Sequence, residues 1–343
     1  MNSGLYFHIP YCKNKCPYCA FYSKKYCREE AESYVEKLIA EMQKYGGSFD
    51  TVYFGGGTPS TVDAELIEKL LNAARAHFEI ADGAEITIEC NPSSEGLEDK
   101  IACYAETGIN RISLGMQSAV KAERLALGRT ADKEQILKII AAARRNGIDN
   151  VSLDLMLGTP KQTAESLDET LDFIAKTGVP HVSAYILSIE EGTPFARMQD
   201  KLPLPNEEQT AELYLKTVIR LEAIGLKQYE VSNFAKEGFE SRHNNKYWLL
   251  APYLGIGATA HSYWNGRRFY YDEALNKLDD GEGGTKEEQI MLGLRLKKGI
   301  KKSLIERDLA PYISAGLMEE SGDNIRFTPR GFLVSNTILA ELI

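Results

Sequence analysis

GLYFHIPYCKNKCPYCAF, Gly4 to Phe21, is the stretch on which the reading of this 343-residue chain turns. Gly4–Ile9 alternates in the manner of a strand, and Pro10 follows it. Cys12, Cys16 and Cys19 then fall within eight residues. Three thiolates on one short loop can converge on three irons of a [4Fe-4S] cluster and leave the fourth iron without a protein ligand. Zinc would normally need a fourth Cys or His at a characteristic distance, and strand alternation with Pro10 turns the nearest one, His8, away. The other three cysteines are dispersed. Cys90 falls on the helix-facing side of a strand and Cys103 on a helix, usual places for a small buried hydrophobe, so neither they nor Cys27 are read as ligands.

Working outward, strand-like runs alternate with amphipathic helices. The strand candidates are Gly4–Ile9, Thr51–Phe54, Glu85–Cys90, Arg111–Met116, Asn150–Leu157 and His181–Leu187. Between the first two, Ala31, Tyr34, Val35, Leu38, Ile39 and Met42 recur at three- and four-residue intervals on one helical face. Helices also read at Ala64–Phe78, at Lys133–Asn146 before Gly147, and at Ala164–Thr177 before Gly178, each Gly placed for a left-handed cap. Six strand–helix repeats with right-handed crossovers predict an α/β fold, a parallel sheet curled into a partial barrel.

Strand periodicity also predicts what faces inward. In the fifth strand Val151, Leu153, Leu155 and Leu157 share one face, leaving Ser152, Asp154 and Met156 on the other. The same split puts Tyr6, His8, Glu89, Gln117 and Tyr185 opposite apolar neighbours. Helices cover the apolar face, so the lumen is partly polar, whereas an ordinary closed barrel is filled with branched apolar side chains. A polar ligand inside is the expectation. Gly55-Gly56-Gly57-Thr58-Pro59 follows the second strand and lets backbone approach a ligand, although a tight turn explains a Gly triplet equally well. Glu89, Gln117, Arg129 and Asp154 fall at or after the ends of later strands. The two carboxylates could accept from hydroxyls or an amine, and Arg129 could pair with a carboxylate.

With 40 Lys and Arg against 49 Asp and Glu, the net charge is −9, which disfavours a general nucleic-acid binder. No apolar run approaches the ~18 residues of a membrane span, and Met1–Ile9 lacks the flanks of a signal peptide, so a cytoplasmic location is expected.

Domain organisation is read as a barrel and its extension over 1–235, a connecting segment over 236–284, and a small, mostly helical, winged-helix-like domain over 285–343. Helix Glu207–Ile224 and strand Gln228–Ser232 close the first part. The acidic, Gly-rich Asp279–Gly284 reads as a linker or loop. Thr285-x-x-Glu288 and Ser303-x-x-Glu306 read as capping boxes; a helix near Leu309–Glu319, a strand at Ile325–Thr328 and a helix from Gly331 follow. Its acidic residues favour a structural role over nucleic-acid binding.

The CxxxCxxC loop after the first strand resembles the signature of the radical S-adenosylmethionine superfamily. The resemblance implies a partial (β/α)6 barrel, a [4Fe-4S] cluster on Cys12, Cys16 and Cys19, and S-adenosylmethionine chelating the open iron, with an electron donor for the cluster. It implies S-adenosylmethionine contacts from Tyr6, Gly56, Gly57, Thr58, Glu89, Gln117, Arg129 and Asp154. Tyr6-Phe-His8-Ile-Pro10-Tyr-Cys12, Glu89-Cys-Asn91-Pro92, Arg111-Ile-Ser-Leu-Gly-Met-Gln117-Ser118 and Asp154-Leu-Met-Leu-Gly158-Thr-Pro160 resemble the oxygen-independent coproporphyrinogen III oxidase group. That match continues through Ser232-Asn-Phe, His243-Asn244-Asn-Lys-Tyr247-Trp248 and Tyr253-Leu-Gly-Ile-Gly257-Ala-Thr-Ala-His261.

Two branches of the group separate at position 21, where the oxidase branch carries a further Cys and this chain has Phe21. The chain also begins at the first strand, without the oxidase's N-terminal arm. His243-Asn244-x-x-Tyr247-Trp248 resembles the heme-binding motif of the heme-chaperone branch, in which His243 would meet the iron and Tyr247 the macrocycle. As bare sequence the same stretch reads as a buried His among core aromatics. The implied function is heme binding and transfer to acceptor proteins, with peripheral membrane contact through those acceptors and a homodimer left open. The alternative is oxidative decarboxylation of coproporphyrinogen III.

Overall fold

The computed structural model describes residues 3–343. Six parallel strands, β1 (Ser3–Ile9), β2 (Ser48–Gly56), β3 (Glu79–Cys90), β4 (Arg111–Gln117), β5 (Asn150–Leu157) and β6 (His181–Ile186), lie side by side in chain order. Each is followed by a covering helix: α1 (Arg28–Met42), α2 (Ala64–His77), α3 (Leu97–Glu106), α4 (Lys133–Arg145), α5 (Ala164–Thr177) and α6 (Glu207–Ala223). The partial (β/α)6 barrel is therefore as expected. Local signals set the helix ends. Capping boxes at Asp132/Gln135, Thr163/Ser166 and Asn206/Gln209 open α4, α5 and α6, and Gly147 and Gly178 adopt the left-handed conformation after α4 and α5.

The apolar strand faces make the core against these helices. Leu5, Phe7 and Ile9 of β1, Phe54 of β2, Ile88 of β3 and Leu153, Leu155 and Leu157 of β5 are almost wholly buried. At about 1.5–3 kcal/mol per buried large apolar side chain, this layer holds the barrel wall and leaves the inner face free for polar groups.

After α6 the chain continues the same sheet at both edges. β7 (Lys227–Gln228) and β8 (Asn233–Ala235) add antiparallel beyond β6, and β9 (Tyr253–Ile256) adds parallel to β1 on the opposite side. A meander of β10 (His261–Trp264), β11 (Arg267–Tyr271) and β12 (Lys277–Glu282) extends that edge, giving a twelve-stranded sheet. Two sequence expectations change here. Asp279–Gly284 is for the most part not a linker: up to Glu282 it pairs with β11, and the Arg267 guanidinium grips Asp279 through Nε and Nη2. Gln228–Ser232 is not one strand, because Glu230 leaves the β7 line and bridges to Leu296 instead.

Between β8 and β9 lies a short helix, α7 (Arg242–Trp248), which carries the His243 motif and seats at the N-terminal end of the barrel strands. Glu85, at the start of the buried part of β3, accepts the backbone N–H groups of Arg242 (3.0 Å) and His243 (2.9 Å). A carboxylate on free N–H groups at a helix start is favourable on both hydrogen-bond and dipole grounds. Lys246 pairs with Asp50 at 2.6 Å. Gly4 is required beneath this helix, because a Cβ there would stand 2.9 Å from Lys246 and 3.1 Å from the His243 ring.

The C-terminal part contains α8 (Lys286–Gly293), α9 (Ala310–Ser314), α10 (Pro329–Leu333) and α11 (Ser335–Leu342) around the antiparallel strands β13 (Ile300–Lys301), β14 (Met318–Ser321) and β15 (Asn324–Phe327). Thr285 caps α8 as expected, accepting from Glu288 N, while the Glu288 carboxylate turns to Arg268 and Gly284. Ser303 opens no helix; Lys302–Leu304 is a single 3-10 turn, and the helix expected to Glu319 stops at Ser314 before β14. Cys103 is exposed rather than buried, unlike Cys90.

Candidate functional site

The C-terminal ends of β1–β6 surround a cavity of about 660 Å³. Its wall includes Cys19 and Phe21 from the cysteine loop, Gly56, Gly57 and Thr58 after β2, and Glu89, Gln117, Arg129 and Asp154. Of the residues expected at this mouth, only Tyr6 stays behind the wall: it lies among Tyr53 and His243, and its hydroxyl meets His8 Nδ1 at 3.0 Å.

The cysteine loop is held from several sides. Cys19 N donates to Cys16 O (3.1 Å), Tyr26 N to Cys12 O (3.1 Å), and Phe195 N, from the segment after β6, to Pro17 O (3.0 Å). The glycine loop packs directly on it: Gly57 N donates to Ile9 O (3.0 Å) and Thr58 N to Tyr11 O (2.8 Å). A Cβ at Gly57 would stand 2.9 Å from the Pro10 carbonyl carbon, and one at Gly56, whose φ is +116°, would enter the His8 ring. These glycines serve loop packing first. Since the N–H groups of Gly56, Gly57 and Thr58 all bond within the protein, the groups this loop could offer a ligand are its carbonyl oxygens, which suit an ammonium group, and the Thr58 hydroxyl.

Inside the mouth, Glu89 accepts from the Tyr53 hydroxyl (2.9 Å) and from Gly56 N (3.1 Å), and burial pushes its carboxyl up to about 7. Asp154 accepts from Ser113 Oγ (3.0 Å) and is also raised by burial. No ion pair joins either carboxylate to Arg129 or Arg111 among the described residues, where their hydrogen-bond partners are Tyr53, Gly56 and Ser113. Gln117 sits at a β4 irregularity with φ +69°, which breaks strict alternation and turns its side chain toward Arg129 at the rim. Arg129 is carried there by Gly128, whose φ of +72° lets the chain close to Pro17 of the cysteine loop.

His243 and Tyr247 are at the other end of the lumen. The His243 ring has no solvent exposure, with Nδ1 2.8 Å from Thr51 Oγ1 and Nε2 2.9 Å from the Tyr247 hydroxyl. Burial, then the Lys246 and Arg111 charges, lower its pKa to about 3, so the ring is neutral. The structure thus brings the cysteine loop together with the expected S-adenosylmethionine residues other than Tyr6, which packs beside His243, and places the expected heme pair at the opposite end.

Comparison with known proteins matches residues 6–174 to the radical SAM superfamily and residues 286–334 to the HemN C-terminal domain. The heme chaperone HemW of Bacillus subtilis is 32% identical over 98% of this chain and 98% of its own length. That of Lactococcus lactis is 31% identical over 99% and 97%. The chain belongs to the radical SAM superfamily, in the HemW family. Coproporphyrinogen III oxidase (HemN) of Escherichia coli, a radical SAM enzyme, superposes with a TM-score of 0.83 at 24% identity, covering 99% of this chain and 89% of that one, which shows a shared fold.

The residues present fit the groups that radical SAM membership implies. Cys12, Cys16 and Cys19 are free, half-buried thiols on one loop, and Cys12 Sγ lies 3.5 Å from Thr58 Oγ1 on the cavity side. Among the described residues no three Cys, His, Asp or Glu side chains stand close enough to enclose a single ion. A four-iron cluster makes no such demand, since each thiolate ligates its own iron. Tyr53, Ser113 and Tyr18 also line the cavity. Strand alternation carried a signal for Tyr53, since Thr51 and Tyr53 share the inner face of β2; Tyr18 gave none, because a side chain within a loop has no periodicity to read.

Proposed function

We propose that the protein holds a [4Fe-4S] cluster on Cys12, Cys16 and Cys19, binds S-adenosylmethionine across the barrel mouth, and serves as a heme chaperone that passes heme to acceptor proteins. What carries the first part is the junction of the cysteine loop and the polar lumen in one cavity. A cluster with an open iron supplies single-electron reduction of S-adenosylmethionine. The protein's own part is to bind and orient: Arg129 faces the methionine carboxylate, loop carbonyls near Gly56 and Gly57 accept from its ammonium, and Glu89 and Asp154 accept from the ribose or the amine.

The chaperone reading rests on full-length similarity to HemW proteins and on Phe21. This side chain is 70% exposed on the rim of the cavity, and a phenyl group offers an apolar surface and no ligand where the oxidase branch has a thiol. The heme contacts expected of His243 and Tyr247 carry a condition. Both His243 ring nitrogens are engaged, so α7 must leave its seat before the ring can reach iron.

Heme and coproporphyrinogen III, offered separately to anaerobically reconstituted protein, test the reading. A Soret band that saturates with heme, together with no protoporphyrinogen in the presence of S-adenosylmethionine and reductant, is the expected result. Multiple-turnover protoporphyrinogen formation would replace the chaperone by the oxidase.

A further inference from the structure

Behind the glycine loop, on the side away from the cavity, a lysine closes the turn that follows it. Pro59–Thr61 is a single 3-10 turn between Thr58 and the start of α2. Lys100, half-buried on α3, donates from Nζ to Ser60 O (2.9 Å), Val62 O (3.0 Å) and, at greater length, Thr61 O (3.4 Å). An ammonium group has three donors and no acceptor, and here its partners are successive carbonyls of one turn. Within the turn, Thr61 N donates to Thr58 O (2.9 Å) and Val62 N to Pro59 O (3.1 Å). Every carbonyl from Thr58 to Val62 is therefore engaged. Over 57–62, among the described residues, the Gly57 carbonyl alone accepts no hydrogen bond, and Gly57 lines the cavity. Its direction is set as well. In a trans peptide the C=O points opposite to the following N–H, so Thr58 N on Tyr11 O turns Gly57 O away from the cysteine-loop backbone. The same turn is tied to the end of β3, where the buried Ser60 hydroxyl accepts from Asn91 N (3.0 Å) and meets Ser94 Oγ at 2.8 Å.

We propose that Lys100 is a positioning residue for the ammonium end of S-adenosylmethionine, acting through the 58–62 turn to hold Gly57 O as the acceptor that the loop presents. The proposal rests on the reading that this loop receives the methionine ammonium. Without the lysine, three carbonyls of the turn lose their donor, and peptides that must find new partners rotate. The Gly57–Thr58 peptide is then clamped from the Tyr11 side only. An ammonium–carbonyl bond is charge-assisted and sensitive to direction, so a small rotation of Gly57 O weakens it while the adenosine end of the site is untouched.

Lys100→Met keeps most of the aliphatic stem and removes the three donors. On full-length, cluster-reconstituted protein, calorimetry compares three ligands: S-adenosylmethionine, its decarboxylated form, which retains the ammonium, and 5′-deoxy-5′-methylthioadenosine, which has neither ammonium nor carboxylate. The variant should bind the first two about tenfold more weakly than wild type, the scale of one charge-assisted hydrogen bond, and the third with wild-type affinity. Where Lys100→Met does not fold, Lys100→Gln, which still donates to part of the turn, carries the same comparison. Wild-type affinity for S-adenosylmethionine in the folded variant overturns the proposal. So does an equal loss for methylthioadenosine, which would make Lys100 a general brace of the mouth, or a loss for S-adenosylmethionine that its decarboxylated form does not share. A wild-type protein that binds no S-adenosylmethionine would instead remove the site reading itself.

Discussion

Glu89 offers a test in which stability and binding move in opposite directions. The carboxyl is inside the barrel, and burial raises it from its ordinary 4.5 to about 7, with the Asp154 charge adding to the rise and the Tyr53 and Gly56 hydrogen bonds opposing it. A carboxyl raised on folding destabilises the fold wherever the unfolded chain is ionised. The cost is absent below about pH 4.5, grows as pH rises, and is complete above about pH 7, where it amounts to about 3 kcal/mol. Glu89→Gln removes the charge and keeps the shape. Its amide oxygen can accept from Gly56 N while its NH2 donates to the Tyr53 oxygen, so both contacts persist and the one loss is the acceptor of the Tyr53 O–H proton, which offsets part of the gain. The variant without S-adenosylmethionine should therefore be about 1–3 kcal/mol more stable than wild type at pH 8, and this advantage should disappear by pH 4.5. S-adenosylmethionine binding should nevertheless weaken by about 2–5 kcal/mol, the scale for losing one charged contact to a buried ligand. Urea midpoints at the two pH values and calorimetry at pH 8 check both halves. A destabilised variant at pH 8, or a stability difference that does not depend on pH, would refute the argument that Glu89 is held at the mouth at the expense of the fold.

Single Cys→Ser variants at 12, 16 and 19 should each lose iron and sulfide on anaerobic reconstitution, whereas those at 27, 90 and 103 should retain them; a normal cluster in the Cys16 variant would contradict the ligand set. Arg129→Ala and Asp154→Ala should each weaken S-adenosylmethionine binding by about 2–5 kcal/mol in calorimetry, and unchanged affinity in both would leave them as structural groups. His243→Ala empties a fully buried position and strands the Thr51 and Tyr247 hydroxyls. It should cost about 2–5 kcal/mol of stability in urea denaturation, and a loss below about 1 kcal/mol would mean that α7 is not seated in solution. The Soret band of the same folded variant reports separately on whether His243 meets the iron.

The parts of the molecule that were legible in the sequence are those governed by short-range periodicity. Two-residue alternation in β1, β3 and β5 predicted which side chains enter the lumen, because a strand with one helix-covered face cannot slip by a residue without burying its polar set in the core. The spacing of Cys12, Cys16 and Cys19 carries its own geometry within one loop. Cys103 was legible too, by a signal left unused: Leu97, Ile101 and Tyr104 mark the buried face of α3, and a residue two positions beyond Ile101 points away from it. Non-local pairings were not legible. The seat of α7 depends on Glu85 and Thr51, about 160 and 190 residues earlier in the chain, and no window of sequence contains both partners. The edge strand β12 has the acidic, Gly-rich composition of a loop and pairs because Arg267 and Phe269 of β11 offer it partners.

These two kinds of information meet in the fate of His243. Its motif reads as a heme ligand by resemblance and as a buried histidine by composition; the structure shows the buried form, and on the proposed function the ligand form would be a second state of the same helix. Unseating α7 breaks two backbone hydrogen bonds to the Glu85 carboxylate, at about 1.5–3 kcal/mol each, before the His243 contacts and the Lys246 pair are considered. On those bonds alone the seated helix is favoured by about 3–6 kcal/mol, or roughly a hundredfold to ten-thousandfold. A heme that used His243 would have its affinity reduced by that factor, and would need a correspondingly strong preference for the open state. The mouth carries no such penalty, because Phe21 and Tyr185 are already exposed on its rim. On the proposed function, heme would therefore meet the exposed mouth first, and His243 would enter only after a step that opens the opposite end of the barrel.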